Sequence, residues 1–193
     1  MKRICVFCGS NPGVNPAFVR TAEELGRYLA ENDIELVYGG GRVGLMGRIA
    51  DAVMQNGGRV TGIIPKSLSD KEVAHQGLSD LHIVDSMHTR KAMMADLSDG
   101  FIALPGGFGT FEELCEIITW AQLGFHSKPC GFLNIEGYYD PLVELFDKAV
   151  AEQFVRPEHR KLVLIEKEIE PMIGKMKDYK LPSVEKWLEK DDL

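Results

Sequence analysis

The segment 105–113, with the sequence PGGFGTFEE, combines a glycine-rich turn with two adjacent carboxylates. It follows the apolar run 101–104, which predicts a buried strand, and it leads into 111–123, which predicts a helix. Glycines let the backbone approach a ligand closely, and the free N–H groups at a helix start bind anions. The segment therefore predicts a phosphate-binding turn with an acidic side chain, Glu113, within one turn of helix.

Thr110 and Glu113 also match the capping box S/T-x-x-E, in which the Glu113 carboxylate would accept a hydrogen bond from the Thr110 N–H. In that alternative the carboxylate is structural. Gly106, Gly107 and Gly109 favour the ligand-binding interpretation, because a cap does not need three glycines whereas a loop around a phosphate does. Both roles stay open for Glu113 at this point.

Composition restricts the broad class. The chain has 193 residues, 45% of them hydrophobic, and a net charge of −7. We expect a single nucleotide-binding domain over 1–193, with 178–193 as a C-terminal tail. The excess of acidic residues argues against a nucleic-acid-binding surface. The sequence contains no run of about 18 apolar residues, so no membrane span is predicted. The basic start precedes an apolar run too short for a signal peptide, so a cytoplasmic location is expected.

The four cysteines do not predict a metal or redox site. Cys5 and Cys8 spell C-x-x-C, but they lie in a predicted strand, where their side chains point to opposite faces. Cys115 and Cys130 do not form the second close pair that a zinc site needs, and the histidines lack metal-ligand spacing. We expect ordinary buried thiols, no metal and no cofactor.

Strands and helices alternate along the chain, which predicts an α/β fold: a three-layer, doubly wound parallel sheet of Rossmann-like type. The predicted strands are 3–8, 34–38, 59–64, 81–85, 101–104, 130–134 and 162–165. The predicted helices are 16–32, 43–56, 86–98, 111–123, 139–153 and 168–176, with a short helix allowed in the tail. Ligands bind such sheets beyond the carboxyl ends of the strands, where the loops 9–13, 39–47, 66–79 and 105–110 should meet.

Two of these loops offer further ligand contacts. Gly9 and Ser10 end the first strand, where small polar residues suit a phosphate or a ribose, although a plain turn is an equal alternative. Gly39, Gly41 and Gly44 have the spacing of a dinucleotide fingerprint. They follow the second strand rather than the first, and no acid ends the next strand, so NAD binding is disfavoured. A second phosphate or ribose loop is favoured over a simple tight turn.

Arg90 and Lys91 are adjacent cations in the predicted helix 86–98. Neighbouring helical side chains point about 100° apart, so one can face a pocket while the other faces its edge. We predict that Arg90 lies beside Glu113 and Lys91 lies at the edge. The alternative is a solvated pair that contacts surface carboxylates such as Asp96.

These motifs together resemble a known family. Met87-His88-x-Arg90-Lys91 followed by the PGGxGTxxE segment is similar to the LOG ("lonely guy") proteins, which are cytokinin riboside 5′-monophosphate phosphoribohydrolases. The resemblance spans nearly the whole chain. It implies hydrolysis of the N-glycosidic bond of N6-substituted AMP, or of AMP itself as in some bacterial members, to free base and ribose 5-phosphate. Family members often carry the label "lysine decarboxylase", which this sequence does not support.

The resemblance also implies roles for single residues and a homodimeric state. It implies Arg90 and Glu113 as catalytic residues and a nucleoside monophosphate as the small-molecule partner. It implies substrate contacts at Glu72, Lys91, Gly107, Phe108, Gly109, Thr110, Phe111, Glu112 and Thr119, beside Gly9, Ser10 and Gly41 in the other loops. The alternative function is a non-catalytic nucleotide-binding module, for which an Arg90–Glu113 pair would be unnecessary.

Overall fold

The computed structural model describes residues 1–69 and 74–182. The strands are β1 (Arg3–Phe7), β2 (Glu35–Tyr38), β3 (Val60–Pro65), β4 (Asp80–Val84), β5 (Gly100–Ala103), β6 (Cys130–Leu133) and β7 (Val163–Glu166). The helices are α1 (Pro16–Glu31), α2 (Gly44–Gln55), α3 (Lys66–Ser69), α4 (Met87–Leu97), α5 (Phe108–Gln122), α6 (Asp140–Ala151), α7 (Pro157–Arg160) and α8 (Ile169–Lys177). A 3₁₀ turn, Ile135–Gly137, precedes α6.

Side-chain hydrogen bonds explain where helices α1 and α4 begin. The Asn15 side chain accepts a hydrogen bond of 2.9 Å from the Ala17 N–H, and Pro16 occupies the first position of α1. The Ser86 hydroxyl accepts a bond of 3.1 Å from the Thr89 N–H at the start of α4. These side-chain caps satisfy N–H groups that the first helical turn leaves free.

In the described ranges, the strands form one parallel sheet with the order β4-β3-β2-β1-β5-β6-β7. The chain moves outwards from β1 to β4 and then crosses to the other side of β1 to form β5. The strand order therefore reverses between β1 and β5, and the loops that follow these two strands border the crevice where ligands bind in open α/β sheets.

Two apolar layers cover the two faces of the sheet. One contains residues of α1, α2 and α8, and the other contains residues of α4, α5 and the segment before α6. Cys8 lies in the first layer and Cys5 in the second, so the two thiols of C-x-x-C lie on opposite faces, as predicted. The three-layer, doubly wound fold is confirmed.

The structure corrects several details. Helix α3 lies inside the predicted loop 66–79, and the sequence pattern did not predict α7. Cys115 is exposed, so the expectation of a buried thiol is wrong at that position. Glu72 and the tail residues 183–193 lie outside the described residues. None of the helices in the described ranges is long and apolar enough to cross a membrane.

Candidate active site

Three loops meet at the carboxyl edge of the sheet. The Gly9 N–H, after β1, donates a hydrogen bond of 3.1 Å to the Pro105 carbonyl, after β5. The Leu45 N–H, at the start of α2, donates a bond of 3.0 Å to the Gly9 carbonyl. An added Cβ on Gly44 would lie 2.3 Å from the Ser10 carbonyl carbon, so the two loops are too close together for any side chain at position 44. The crevice predicted at this edge is therefore built from backbone.

The glycine turn after β5 leaves a row of amides free. Helix α5 begins at Phe108, and Gly107 occupies the N-cap position without a side-chain hydrogen bond. The first backbone bond of the helix runs from the Phe111 N–H to the Gly107 carbonyl, at 3.1 Å. Within residues 1–69 and 74–182, the N–H groups from Gly107 to Thr110 meet no acceptor. Free amides at a helix start favour an anionic ligand.

This geometry excludes the capping box at Thr110. The helix starts three residues earlier than the predicted 111, so Thr110 lies inside α5 and is buried. Its side chain packs against the turn, because a Cβ added to Gly106 would lie 2.1 Å from the Thr110 hydroxyl oxygen. The pattern misplaced the helix start because Gly107 caps through extended backbone (φ −99°, ψ −157°) and not through a side chain.

Arg90 and Glu113 lie together at this edge, as predicted. The Arg90 Nη2 and Glu113 Oε1 atoms are 3.7 Å apart, and their side chains are only 9% and 13% exposed. The guanidinium lies over the end of β2, since a Cβ on Gly39 would come within 2.1 Å of its Nη2. Arg90 Nη1 also donates to the Met87 sulfur at 3.7 Å, whereas Nε has no partner among the described residues. This buried cation therefore keeps hydrogen-bonding capacity for a ligand.

Burial and charge act in opposite directions on Glu113. Burial raises the pKa of its carboxyl group above the ordinary glutamate range, and the Arg90 charge partly offsets this effect. The carboxylate in turn acts on Cys8, whose thiol pKa is raised by burial and by Glu113. A carboxylate in such surroundings interacts more strongly with a nearby positive charge than it would in water.

Lys91 lies at the edge of the pair. Its ammonium group forms ion pairs with Glu112 and with Glu116 Oε2, the latter at 3.1 Å, rather than with Asp96. Burial lowers the pKa of Lys91, but hydrogen bonds and charge from Glu112 and Glu116 outweigh it, so the pKa is raised overall. Lys91 is therefore held in its charged form.

The other predicted contact residues differ in placement. Gly9 and Gly41 are buried in their loops, while Ser10, Phe108, Gly109 and Glu112 are exposed. Phe111 is half-buried, with its ring centroid 6.4 Å from that of Tyr138. The exposed Thr119 donates a 2.7 Å bond to the Cys115 carbonyl and lies about 9 Å further along α5 than Glu113. The structure does not bring Thr119 to the glycine turn.

Two contacts of the site were not predicted by the sequence analysis, which placed Gly39 in a ligand loop but not against Arg90. The Tyr138 hydroxyl donates a hydrogen bond to the Gly106 carbonyl, although 32 positions separate the two residues. Gly39 provides the space that the Arg90 guanidinium fills. No local pattern signals either contact. The Gly-Tyr-Tyr sequence at 137–139 and the three successive glycines at 39–41 are the nearest signals.

One cavity lies at the carboxyl edge of the sheet, and a larger cavity lies at the opposite edge. A cavity of about 280 Å³ lies between the loop 9–13, Phe18, Leu45, the turn 105–107 and Tyr138. A larger cavity, about 940 Å³, lies at the opposite edge of the sheet, at the amino ends of β1 to β3. We place the candidate site at the carboxyl edge of the sheet, because the free amides and the Arg90–Glu113 pair lie there. The smaller cavity borders this site at Gly106 and Gly107, whereas Arg90 and Glu113 do not line it.

The chain is similar to a known protein family and to named relatives over most of its length. Residues 46–176 match the family model described as "Possible lysine decarboxylase". The cytokinin riboside 5′-monophosphate phosphoribohydrolase LOG1 of Arabidopsis thaliana is 50% identical over 178 residues, which are 92% of this chain and 84% of the relative. The cytokinin riboside 5′-monophosphate phosphoribohydrolase LOG of Oryza sativa subsp. japonica is 47% identical over 191 residues, which are 99% of this chain and 78% of the relative.

A solved structure shares the fold at low sequence identity. The molybdenum cofactor binding protein of the phototrophic bacterium Rippkaea orientalis superposes with a TM-score of 0.68 at 20% identity, covering 92% of this chain and 97% of that chain. This likeness supports the architecture alone.

Proposed function

This chain belongs to the family of cytokinin riboside 5′-monophosphate phosphoribohydrolases, and from that premise we propose that it hydrolyses the N-glycosidic bond of AMP-type nucleotides. The substrates are AMP or N6-substituted AMP, and the products are the free base and ribose 5-phosphate. The observation that carries the proposal is the buried Arg90–Glu113 pair, 3.7 Å apart, at the same sheet edge as the free amides of the glycine turn.

The 5′-phosphate binds to the start of α5 in this proposal. The N–H groups of Gly107, Phe108, Gly109 and Thr110 meet no acceptor in the described chain, so a phosphate supplies their missing partner. The partial positive charge of the helix start adds to this attraction. Lys91, one residue from Arg90, adds a cation at the edge, where Glu112 and Glu116 pair with it in the absence of substrate.

Glu113 acts on the sugar. Cleavage of the C1′–N9 bond develops positive charge on the ribose ring, as in glycoside hydrolysis. A buried carboxylate beside the ring stabilises this charge and accepts hydrogen bonds from the ribose hydroxyls. The Glu113 side chain is 13% exposed, so little water weakens the interaction.

Arg90 acts as a hydrogen-bond donor and not as an acid. A guanidinium holds its protons too firmly to serve as an acid near neutral pH, but its Nε and Nη groups can bind the phosphate or the departing base. Water completes the reaction: its oxygen bonds to C1′, the C1′–N9 electron pair leaves with the base, and one water proton is transferred to the base nitrogen.

Two other functions fit the site less well. A non-catalytic nucleotide-binding module does not require a buried carboxylate next to a buried guanidinium, which is costly unless it is used. Lysine decarboxylation requires a lysine that loses its proton to form a Schiff base. Lys91, the lysine that lies beside Arg90, has a raised pKa because of Glu112 and Glu116, which is the opposite of that requirement.

We extend the proposal to the remaining residues and to the assembly. Gly9, Ser10 and Gly41 contact the ribose or the phosphate from their loops. The family resemblance is the support for further substrate contacts at Glu72 and Thr119, and Thr119 would contact a part of the nucleotide away from the glycine turn. We propose a homodimer, because apolar side chains such as Phe154, 87% exposed, remain uncovered in the single chain. Light scattering in solution would test the dimer.

We propose a cytoplasmic protein that binds no nucleic acid. All four thiols are free, which suits a reducing compartment, and the net charge of −7 disfavours a polyanionic partner.

The experiment that tests the proposed function is product identification. The protein is incubated with AMP and, separately, with N6-isopentenyl-AMP, and the mixtures are analysed by chromatography. We expect free base and ribose 5-phosphate in equal amounts. Nucleotides that bind but stay intact would support the binding-module alternative instead.

A further inference from the structure

Three consecutive carbonyl groups at the glycine turn, those of residues 104–106, accept hydrogen bonds from residues outside the turn. The Leu104 carbonyl accepts a 2.7 Å bond from the Tyr139 hydroxyl, and the Pro105 carbonyl accepts a 3.1 Å bond from the Gly9 N–H. The Gly106 carbonyl accepts a bond from the Tyr138 hydroxyl. Each donor comes from outside the turn, so the backbone orientation of the turn is fixed by its surroundings.

The two tyrosines are themselves held in place. The Tyr139 N–H donates a 2.7 Å bond to the Asn134 side-chain oxygen, and the Asn134 amide donates a 2.6 Å bond to Asp140. The Tyr138 ring packs edge-on against Phe18, with centroids 5.6 Å apart. Both hydroxyls are therefore presented by an ordered junction between β6 and α6.

The Gly106–Gly107 peptide is the one most in need of such a restraint. A trans peptide is planar, so its carbonyl and its N–H point in opposite directions. Glycine on both sides permits backbone conformations that other residues avoid, which lowers the cost of turning the peptide over. A turned peptide would replace the Gly107 N–H by the Gly106 carbonyl oxygen, whose partial negative charge repels a phosphate.

We propose that Tyr138 is a positioning residue for phosphate recognition, which holds the Gly106 carbonyl so that the Gly107 N–H faces the ligand. This inference rests on the proposed function, because it assumes that the turn binds the 5′-phosphate. The hydroxyl acts through the peptide and does not itself touch the reacting atoms. Tyr139 has a different role, because the peptide that it holds ends at Pro105, which has no N–H to aim.

The Tyr138 hydroxyl has little to contribute to folding. The side chain is 37% exposed and lines the cavity of about 280 Å³, so without the hydroxyl the Gly106 carbonyl can accept from water. A phenylalanine keeps the ring packing against Phe18 and Phe111. The change therefore removes the restraint on the peptide and leaves the fold intact.

The test is Tyr138→Phe, compared with wild type and with Tyr28→Phe, a half-buried tyrosine of α1 that packs against the core away from the turn. Because the active enzyme would cleave AMP during the measurement, all three proteins carry Glu113→Gln in the binding assay and keep Glu113 in the turnover assay. Binding of radiolabelled AMP and adenosine is measured by equilibrium dialysis, which also registers weak binding. We expect Tyr138→Phe to bind AMP about 3- to 10-fold more weakly, the equivalent of one net hydrogen bond. Adenosine binding, the melting temperature and the Tyr28→Phe variant should be unchanged, and the turnover data should show a raised KM with little change in kcat.

The outcomes separate this inference from the proposed function. If wild type binds AMP without cleaving it, the proposed function fails, while the ratio of AMP to adenosine binding still decides the role of Tyr138. Equal weakening of both ligands, or of neither, in Tyr138→Phe overturns the positioning role. If the Glu113→Gln parent does not bind AMP and the wild type does not cleave it, both proposals are overturned.

Discussion

Replacing Glu113 by glutamine tests the catalytic assignment with the smallest structural change. The amide keeps the size of the side chain and removes its charge. Arg90 Nη2 lies 3.7 Å from Glu113 Oε1, which shows how closely a cation can approach this carboxylate. At that distance two unit charges interact by about 4.5 kcal/mol at an effective dielectric constant of about 20.

The sugar in the transition state carries most, but not all, of a unit charge. We therefore expect Glu113→Gln to raise the barrier by about 3 kcal/mol, which lowers kcat by about 10²-fold. The assay is the initial rate of ribose 5-phosphate release from AMP at saturating substrate. Glu24→Gln, an exposed glutamate of α1, is the matched control and should match wild type.

Stability must be measured beside the rate. A carboxyl group whose pKa is raised in the folded state contributes less stability as the pH rises through the interval above its unfolded pKa. At neutral pH the ionised Glu113 therefore lowers the free energy of unfolding, and glutamine removes this penalty. The same substitution removes the negative charge that faces Arg90, which destabilises the folded protein. Because these effects oppose each other, we expect the melting temperature to stay within about 4 °C of wild type.

Two results would refute the assignment of Glu113. A glutamine variant that turns over at nearly the wild-type rate would show that the charge is not used. A large fall in melting temperature, with activity lost in proportion to the unfolded fraction, would show that Glu113 is mainly structural.

Four further outcomes follow from the same geometry. AMP should be cleaved far better than adenosine, because the free amides gain no partner from a nucleoside; comparable kcat/KM values for the two would remove the phosphate site. Arg90→Ala and Arg90→Lys should both lose activity, since lysine lacks the planar fork, while Lys91→Ala should mainly raise KM; an active Arg90→Lys enzyme contradicts this. Gly39→Ala places a Cβ 2.1 Å from Arg90 Nη2 and should reduce activity in a folded protein, unlike Gly174→Ala, which meets nothing within 4 Å; equal activity of the two would contradict the packing argument. Because Glu113 acts as an anion and burial raises its pKa, kcat/KM should fall on acidification at a pH above the ordinary glutamate value of about 4.3; an acid limb at or below that value contradicts it.

The fold could be predicted from the sequence because its signals are local. Alternating apolar strands and amphipathic helices identify a parallel sheet covered on both faces, and the structure places most element ends within one or two residues of the prediction. The start of α5 is the main exception. It begins at Phe108 because Gly107 caps it without a side chain, and cap patterns depend on side chains.

Only part of the candidate site could be predicted from the sequence. The glycine turn, Arg90 and Glu113 each stand in a recognisable local context, and the structure brings them to one edge. The contacts that complete the site join residues that are distant in sequence: Tyr138 with Gly106, and Gly39 with Arg90. Such contacts depend on which loops share an edge of the sheet, and a single sequence does not specify that at residue level.

The position of a bound nucleotide is the sharpest test of the proposed active site. The measurement is a crystal structure of Glu113→Gln in complex with N6-isopentenyl-AMP, since the variant should bind substrate without cleaving it. We predict the 5′-phosphate on the N–H groups from Gly107 to Thr110, with C1′ beside the side chain of residue 113 and the Arg90 guanidinium in contact with the ligand. A nucleotide bound elsewhere, such as in the large cavity at the amino ends of the strands, or one with C1′ remote from residue 113, would show that the active site is not at this edge.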